Sequence, residues 1–142
     1  MMKRREQNPH KKTERKIERV KVKITRDMET MANDLGNALF TEKTIAVRVV
    51  VGLAVEKATA EAIYEVMTKE GYHLNTKGFQ SHGDNPYPAT VDLRLTESQF
   101  EWINLHCEQW EVTKVAVIRA LYQWGLNNLG NYTLADLLEK AK

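Results

Sequence analysis

Two short stretches of the chain alternate aliphatic and polar residues with a period of two. In the first, Val20, Val22 and Ile24 alternate with Arg19, Lys21 and Lys23; in the second, Val91, Leu93 and Leu95 alternate with Thr90, Asp92 and Arg94. This pattern predicts strands with one buried and one solvated face. A threonine follows each stretch (Thr25, Thr96), and apolar positions at helical spacing follow the threonine. Threonine there suits a helix N-cap, and Asp27 and Glu29 favour the positive end of the first helix. That helix is expected to run through roughly Leu35 and to stop at Gly36-Asn37. A second helix is expected from Thr41 or Glu42, carrying Ile45, Ala46, Val49, Val50 and Leu53. Its β-branched valines also fit a buried strand, so the local pattern leaves that segment open.

Thr59 begins a further helical stretch with Ile63, Val66 and Met67 on one side and Gly71 as terminator. The sequence leaves open whether it continues the preceding helix. Residues 72–89, with Gly, Pro, Asn, Asp and Ser, read as a loop or linker. After Thr96 a helix places Phe100, Ile103 and Cys107 inward, and from Thr113 another places Val117, Ile118, Leu121 and Trp124 inward. Gly130-Asn131 breaks it, and Thr133 caps a short terminal helix over 134–140.

Sliding the chain against itself by 71 residues superposes residues 19–55 on 90–126 with no insertion. The identities are few: Val20/Val91, Thr25/Thr96, Asn33/Asn104, Lys43/Lys114 and Arg48/Arg119. Agreement of pattern is the stronger signal: strand alternation, a Thr helix start, Ala32 against Ile103, and Val47-Arg48 against Ile118-Arg119. It also decides the ambiguous valine-rich segment in favour of helix.

With 142 residues, 42% of them hydrophobic, the chain can bury one or two small cores. No apolar run approaches a bilayer span, and the charged N-terminus has no apolar stretch behind it. Neither a membrane helix nor a signal peptide is expected, and the expected location is cytoplasmic, associated with the nucleoid. The single cysteine, Cys107, excludes an intrachain disulfide and suits a reducing compartment. On the apolar side of its helix it reads as a small buried hydrophobe. The net charge of +2 conceals an asymmetry: residues 1–23 hold ten Lys/Arg against three Glu, a net of +7, which leaves −5 elsewhere. Such an arm suits a polyanion; the alternative is a solvated tail that aids solubility.

Thr90-Val-Asp-Leu-Arg-Leu-Thr-Glu-Ser-Gln-Phe100 resembles the strand and helix start of the ribbon-helix-helix family (the Arc/MetJ/CopG superfamily). Val112-Thr-Lys-Val-Ala-Val-Ile-Arg-Ala-Leu121 resembles that family's second helix, which opens with Ser/Thr and a basic residue and continues with an aliphatic pair and Arg. The first copy is a more divergent match, with Glu42 where a capping Ser/Thr is usual. The fold class implied is mainly α with a short two-stranded antiparallel β-ribbon, a tandem ribbon-helix-helix forming a pseudo-dimer within one chain. The expected organisation is a basic, disordered arm (1–18), a first ribbon-helix-helix (19–58), a helix and linker (59–89), a second ribbon-helix-helix (90–130) and a short C-terminal helix (131–142).

The resemblance implies double-stranded DNA as partner, with the ribbon in the major groove and the four helices behind it. The base-reading face would then be Arg19, Lys21, Lys23, Thr90, Asp92 and Arg94, with Lys23 and Arg94 at a base-contact position of the family. Arg or Lys can donate to guanine O6/N7, and Asp92 can accept from a cytosine amino group. Thr41, Lys43, Thr113 and Lys114, at the starts of the second helices, would hold phosphates on free backbone N–H groups. Lys11, Lys12, Arg15 and Lys16 of the arm would add phosphate contacts. The expected role is transcriptional regulation, as a repressor of plasmid or phage type, on an asymmetric site because the half-ribbons differ.

The four histidines (10, 73, 82, 106) lie in unrelated segments, and no Gly-rich phosphate loop or nucleophile motif is present. Neither enzymatic activity nor a catalytic residue, metal or cofactor is therefore expected. The competing reading is a protein-interaction adaptor: an antitoxin, or a plasmid-partition or conjugation accessory protein. On that reading the aromatic surplus of Trp102, Trp110, Tyr122, Trp124 and Tyr132 offers a helical face for self-association or a protein partner.

Overall fold

A computed structural model describes residues 16–74, 81–82, 85–86 and 89–141, with side chains described from Arg19 onward except at 81–82 and 85–86. The order is β1 (Lys16–Ile24), α1 (Arg26–Ala38), α2 (Lys43–Lys57), α3 (Ala60–Glu70), a 3-10 turn (Tyr72–Leu74), β2 (Ser81–His82) and β3 (Asn85–Pro86). Then come β4 (Ala89–Thr96), α4 (Glu97–Trp110), α5 (Lys114–Asn127), a second 3-10 turn (Leu129–Asn131) and α6 (Leu134–Ala141). The fold is mainly helical, with β1 and β4 joined in a two-stranded antiparallel ribbon and each followed by helices.

The 71-residue repeat holds at the level of single hydrogen bonds. Thr25 and Thr96 both cap, their hydroxyls accepting from Met28 N and Gln99 N. Both first helices end in the same reversal: Thr41 N donates to Gly36 O (2.8 Å) and Val112 N to Cys107 O (3.0 Å). Phe40 and Glu111 supply the left-handed residue at φ 57° and 56°. Gly36 does not stop α1, which continues to Ala38. A Cβ at Gly36 would stand 2.8 Å from the Thr41 carbonyl oxygen, so this glycine serves the close approach of the turn instead.

In the ribbon, Arg19 faces Arg94, Lys21 faces Asp92, and Lys23 faces Thr90. Lys21 and Asp92 are also equivalent under the repeat, so a pseudo-two-fold axis passes between them. An irregularity between Lys16 and Glu18 ends the regular register. The inner face, with Val22, Ile24, Val91, Leu93 and Leu95, is buried together with Ala116, Val117, Ile118, Leu121 and Val50 of the helices. Burying each such side chain contributes about 1.5–3 kcal/mol. The packing crosses between copies, with β1 against α5 and β4 against α2. Tyr122 of α5 donates its hydroxyl to Met28 O of α1 (2.9 Å), and burial pushes that phenol's pKa up. Neither copy can bury its strand alone.

The third helices cross over as well. α3 follows α2 in the chain but packs on α5, while α6 follows α5 but packs on α2. Both begin at a capping threonine, Thr59 accepting from Ala62 N and Thr133 from Asp136 N. Counted from those caps, Ile63 and Leu137 occupy the same position, and both are buried. The repeat therefore extends through a third helix, delayed in the second copy by the 3-10 turn. Extended Ala58 separates α3 from α2, so the two are distinct helices.

α2 is helical despite its valines. Val47, Val50, Val51 and Ala54 enter the main core, while Val49 and Leu53 join Leu39 and Leu137 in a second cluster. Burial on two sides removes the single apolar stripe by which a surface helix is recognised. Within the expected loop, β2 and β3 pair antiparallel. Among the described residues no helix is long and apolar enough to cross a membrane.

Candidate nucleic-acid interface

Alternation in β1 and β4 sends Arg19, Lys21, Lys23, Thr90, Asp92 and Arg94 to the side of the ribbon away from the core. All six residues expected to read bases thus share one face, with four cations and one carboxylate. Lys21, Thr90, Arg19 and Arg94 are exposed, and Lys23 and Asp92 are half-buried. The face is unequal end to end: Arg19 and Arg94 sit side by side at one end, Lys23 and Thr90 at the other. Asp92 lies at the pseudo-dyad and forms a diagonal ion pair with Arg19, Oδ2 to Nε at 3.6 Å. Its Oδ1 is shielded from solvent and has no hydrogen-bond partner among the described residues.

The backbone beneath this face is held by a residue outside the expected site set. Arg119, 5% exposed on α5, donates Nε to the carbonyl of Lys23 at 2.8 Å. This bond pins the end of β1 to the second copy's helix. The signal was present as the Arg48/Arg119 identity inside otherwise apolar helices. Arg48 does not repeat the contact: its Nη2 donates to Ala141 O at 3.3 Å, and burial lowers its pKa.

The starts of the two second helices also differ. At α5, Thr113 accepts from Ala116 N (3.1 Å), and Lys114 Nζ lies 5.8 Å from the Phe100 ring centroid. At α2, Glu42 occupies the cap position without a side-chain hydrogen bond, and Lys43 pairs with Glu29 at 2.5 Å. An internal carboxylate already neutralises that lysine, so the α5 end is the better disposed of the two toward an anion. Thr41 is half-buried, its N–H engaged by Gly36 O. Lys11, Lys12 and Arg15, and the side chain of Lys16, lie outside the described residues.

Of the aromatic residues, Tyr122 is buried, while Trp102, Trp110 and Trp124 pack partly buried against the main core and Tyr132 against the second cluster. Trp102, His106 and Trp110 follow one another along α4, with Tyr64 of α3 against Trp110 at 5.3 Å. His106 is buried, its Nδ1 2.8 Å from Trp102 O. Cys107 is half-buried and packs against the core. Among the described residues no group of three or more His, Cys, Asp or Glu could hold a metal ion. Comparison with protein-family models, curated proteins and solved structures gives no match.

Proposed function

We propose that the chain is a sequence-specific double-stranded DNA-binding protein of the ribbon-helix-helix type, acting as a transcriptional repressor or regulator. The observation that carries this reading is the ribbon itself: an antiparallel pair with a buried aliphatic face and a cationic outer face. The major groove is wide enough for a two-stranded ribbon, and base edges there offer acceptors to Arg and Lys. Arg19, Lys21, Lys23, Thr90, Asp92 and Arg94 form the groove-facing set. Thr113 and Lys114 approach a phosphate at the start of α5, with Thr41 and Lys43 in the corresponding but weaker place. The basic arm, including Lys11, Lys12, Arg15 and Lys16, adds sequence-independent attraction.

Because repeat-equivalent groove positions carry different residues, the bound site is asymmetric. Selection from randomised duplexes with the full chain is expected to return a non-palindromic core. A strictly palindromic minimal site bound by one chain would count against it. Lys23→Ala and Arg94→Ala should each relax preference at a base pair, by roughly 1–3 kcal/mol of discrimination. Deleting residues 2–16 should flatten the salt dependence and leave sequence preference in place. Loss of preference on arm deletion alone would mean that the ribbon is not the reader.

A second reading, a protein-interaction adaptor, draws on Leu105, 59% exposed on the same helix as Trp102 and Trp110. A tight protein complex in sedimentation together with no duplex binding would favour it.

A further inference from the structure

The geometry points to Asp92 as a positioning residue for Arg19 and not a reader of bases. On this inference its carboxylate holds the guanidinium by the Nε edge and leaves the two Nη groups to donate to one guanine. The inference rests on the DNA-binding reading above.

Three observations carry it. First, Oδ2 stands 3.6 Å from Arg19 Nε, and among the described residues none accepts a hydrogen bond from the Arg19 Nη atoms. A guanidinium held at Nε still presents the planar Nη fork that matches O6 and N7 of guanine. Second, Asp92 Oδ1 is closed off from solvent. A cytosine amino group cannot reach that atom in this arrangement, and the other oxygen already faces Arg19. Third, Arg19 faces Arg94 directly across the ribbon. Like charges in that position repel, and the diagonal carboxylate offsets the repulsion while drawing Arg19 toward the ribbon's centre.

In the free protein the pair is weak, because Arg19 is 62% exposed, Asp92 is 38% exposed apart from its shielded Oδ1, and water screens the contact. Insertion into a groove removes that water and strengthens the attraction, so the buttress acts when a base is being read. The arrangement is also one-sided. Under the repeat, Arg19 and Asp92 correspond to Thr90 and Lys21, which hold no carboxylate. The Arg19/Arg94 end of the ribbon therefore fixes the direction in which the chain lies on an asymmetric site.

The test uses the full chain and the duplex recovered by selection with the wild type, together with its single base-pair variants. Arg19→Lys keeps the charge but loses the fork, and is expected to reduce preference for guanine at one base pair. Asp92→Ala should reduce preference at that same base pair by about tenfold, with binding to unrelated duplexes unchanged or tighter. The double variant should show no further loss of preference. If Asp92→Ala relaxes a different base pair from Arg19→Lys, or the two effects add, Asp92 reads its own base and the inference is overturned. A wild-type selection that enriches no sequence overturns the DNA-binding reading itself, and it does so before any substitution is made.

Discussion

In the second copy Arg119 on α5 reaches across to hold the Lys23 carbonyl of the first strand. Its counterpart Arg48 on α2 turns instead to the Ala141 carbonyl at the end of α6. The same split recurs at the helix starts, where Thr113 caps α5 while Glu42 leaves α2 without a side-chain cap. It recurs where α2 and α5 cross, Gly125 in one helix standing where Ala54 stands in the other. Backbone symmetry persists because both strands must bury an aliphatic face in one shared core. The individual side chains that fasten the helices carry no such constraint, and even buried ones (Arg119, Gly125) have diverged from their counterparts.

The largest expected effect tests the anchor. Arg119→Met removes a charge-assisted bond that ties β1 to α5, so it should cost roughly 2–3 kcal/mol in denaturant unfolding. Arg48→Met should cost under about 1 kcal/mol, because burial already disfavours that guanidinium and its bond is long. Equal costs would mean that the halves are held alike.

Next comes the helix crossing. A Cβ on Gly125 would stand 2.3 Å from Val50 Cγ1 and 3.1 Å from the Val50 carbonyl oxygen. Gly125→Ala should therefore destabilise by about 1–2 kcal/mol despite alanine's better helix propensity. A variant more stable than the parent would show that the crossing has room for symmetry.

Caps come third. Thr113→Ala should cost about 1 kcal/mol, and Glu42→Thr should gain a similar amount by supplying the missing cap. If the reading of the second helices as phosphate clamps is right, Glu42→Thr should also tighten duplex binding at low salt.

The smallest effect separates the exchanged helices by pH. Asp136 is held below the usual carboxylate range by the Thr133 backbone N–H and hydroxyl, and Glu56 by its hydrogen bond to Lys140. A carboxylate depressed in the folded state stabilises above its unfolded pKa, and that stabilisation is lost as pH falls through the folded value. Amide resonances of α6 should therefore shift toward unfolded values below about pH 4. Those of α3, whose cap is the uncharged Thr59 hydroxyl, should hold over the same range. Joint movement of both helices would show that global unfolding, and not the α6 contacts, sets the transition.

Much of this architecture is legible in the residues. Period-two alternation placed both strands and their outer faces, and threonine caps placed Thr25, Thr96, Thr113 and Thr133 at the helix starts where the structure has them. The 71-residue offset marked the two copies and, through them, the helical state of α2. These features are local: alternation, capping and turn chemistry act within a few residues of chain.

What the sequence could not supply depends on which surfaces meet. The exchange of α3 and α6 between copies, the two-sided burial of α2 and the fit of Gly125 against Val50 arise from contacts between residues far apart in the chain. The same holds for the outer face. Alternation sends Asp92 outward, but only the antiparallel register sets it at the pseudo-dyad, diagonal to Arg19 and opposite Lys21. Register is fixed by the packing of both strands on a common core, since a slip of one residue would turn every aliphatic side chain out to solvent.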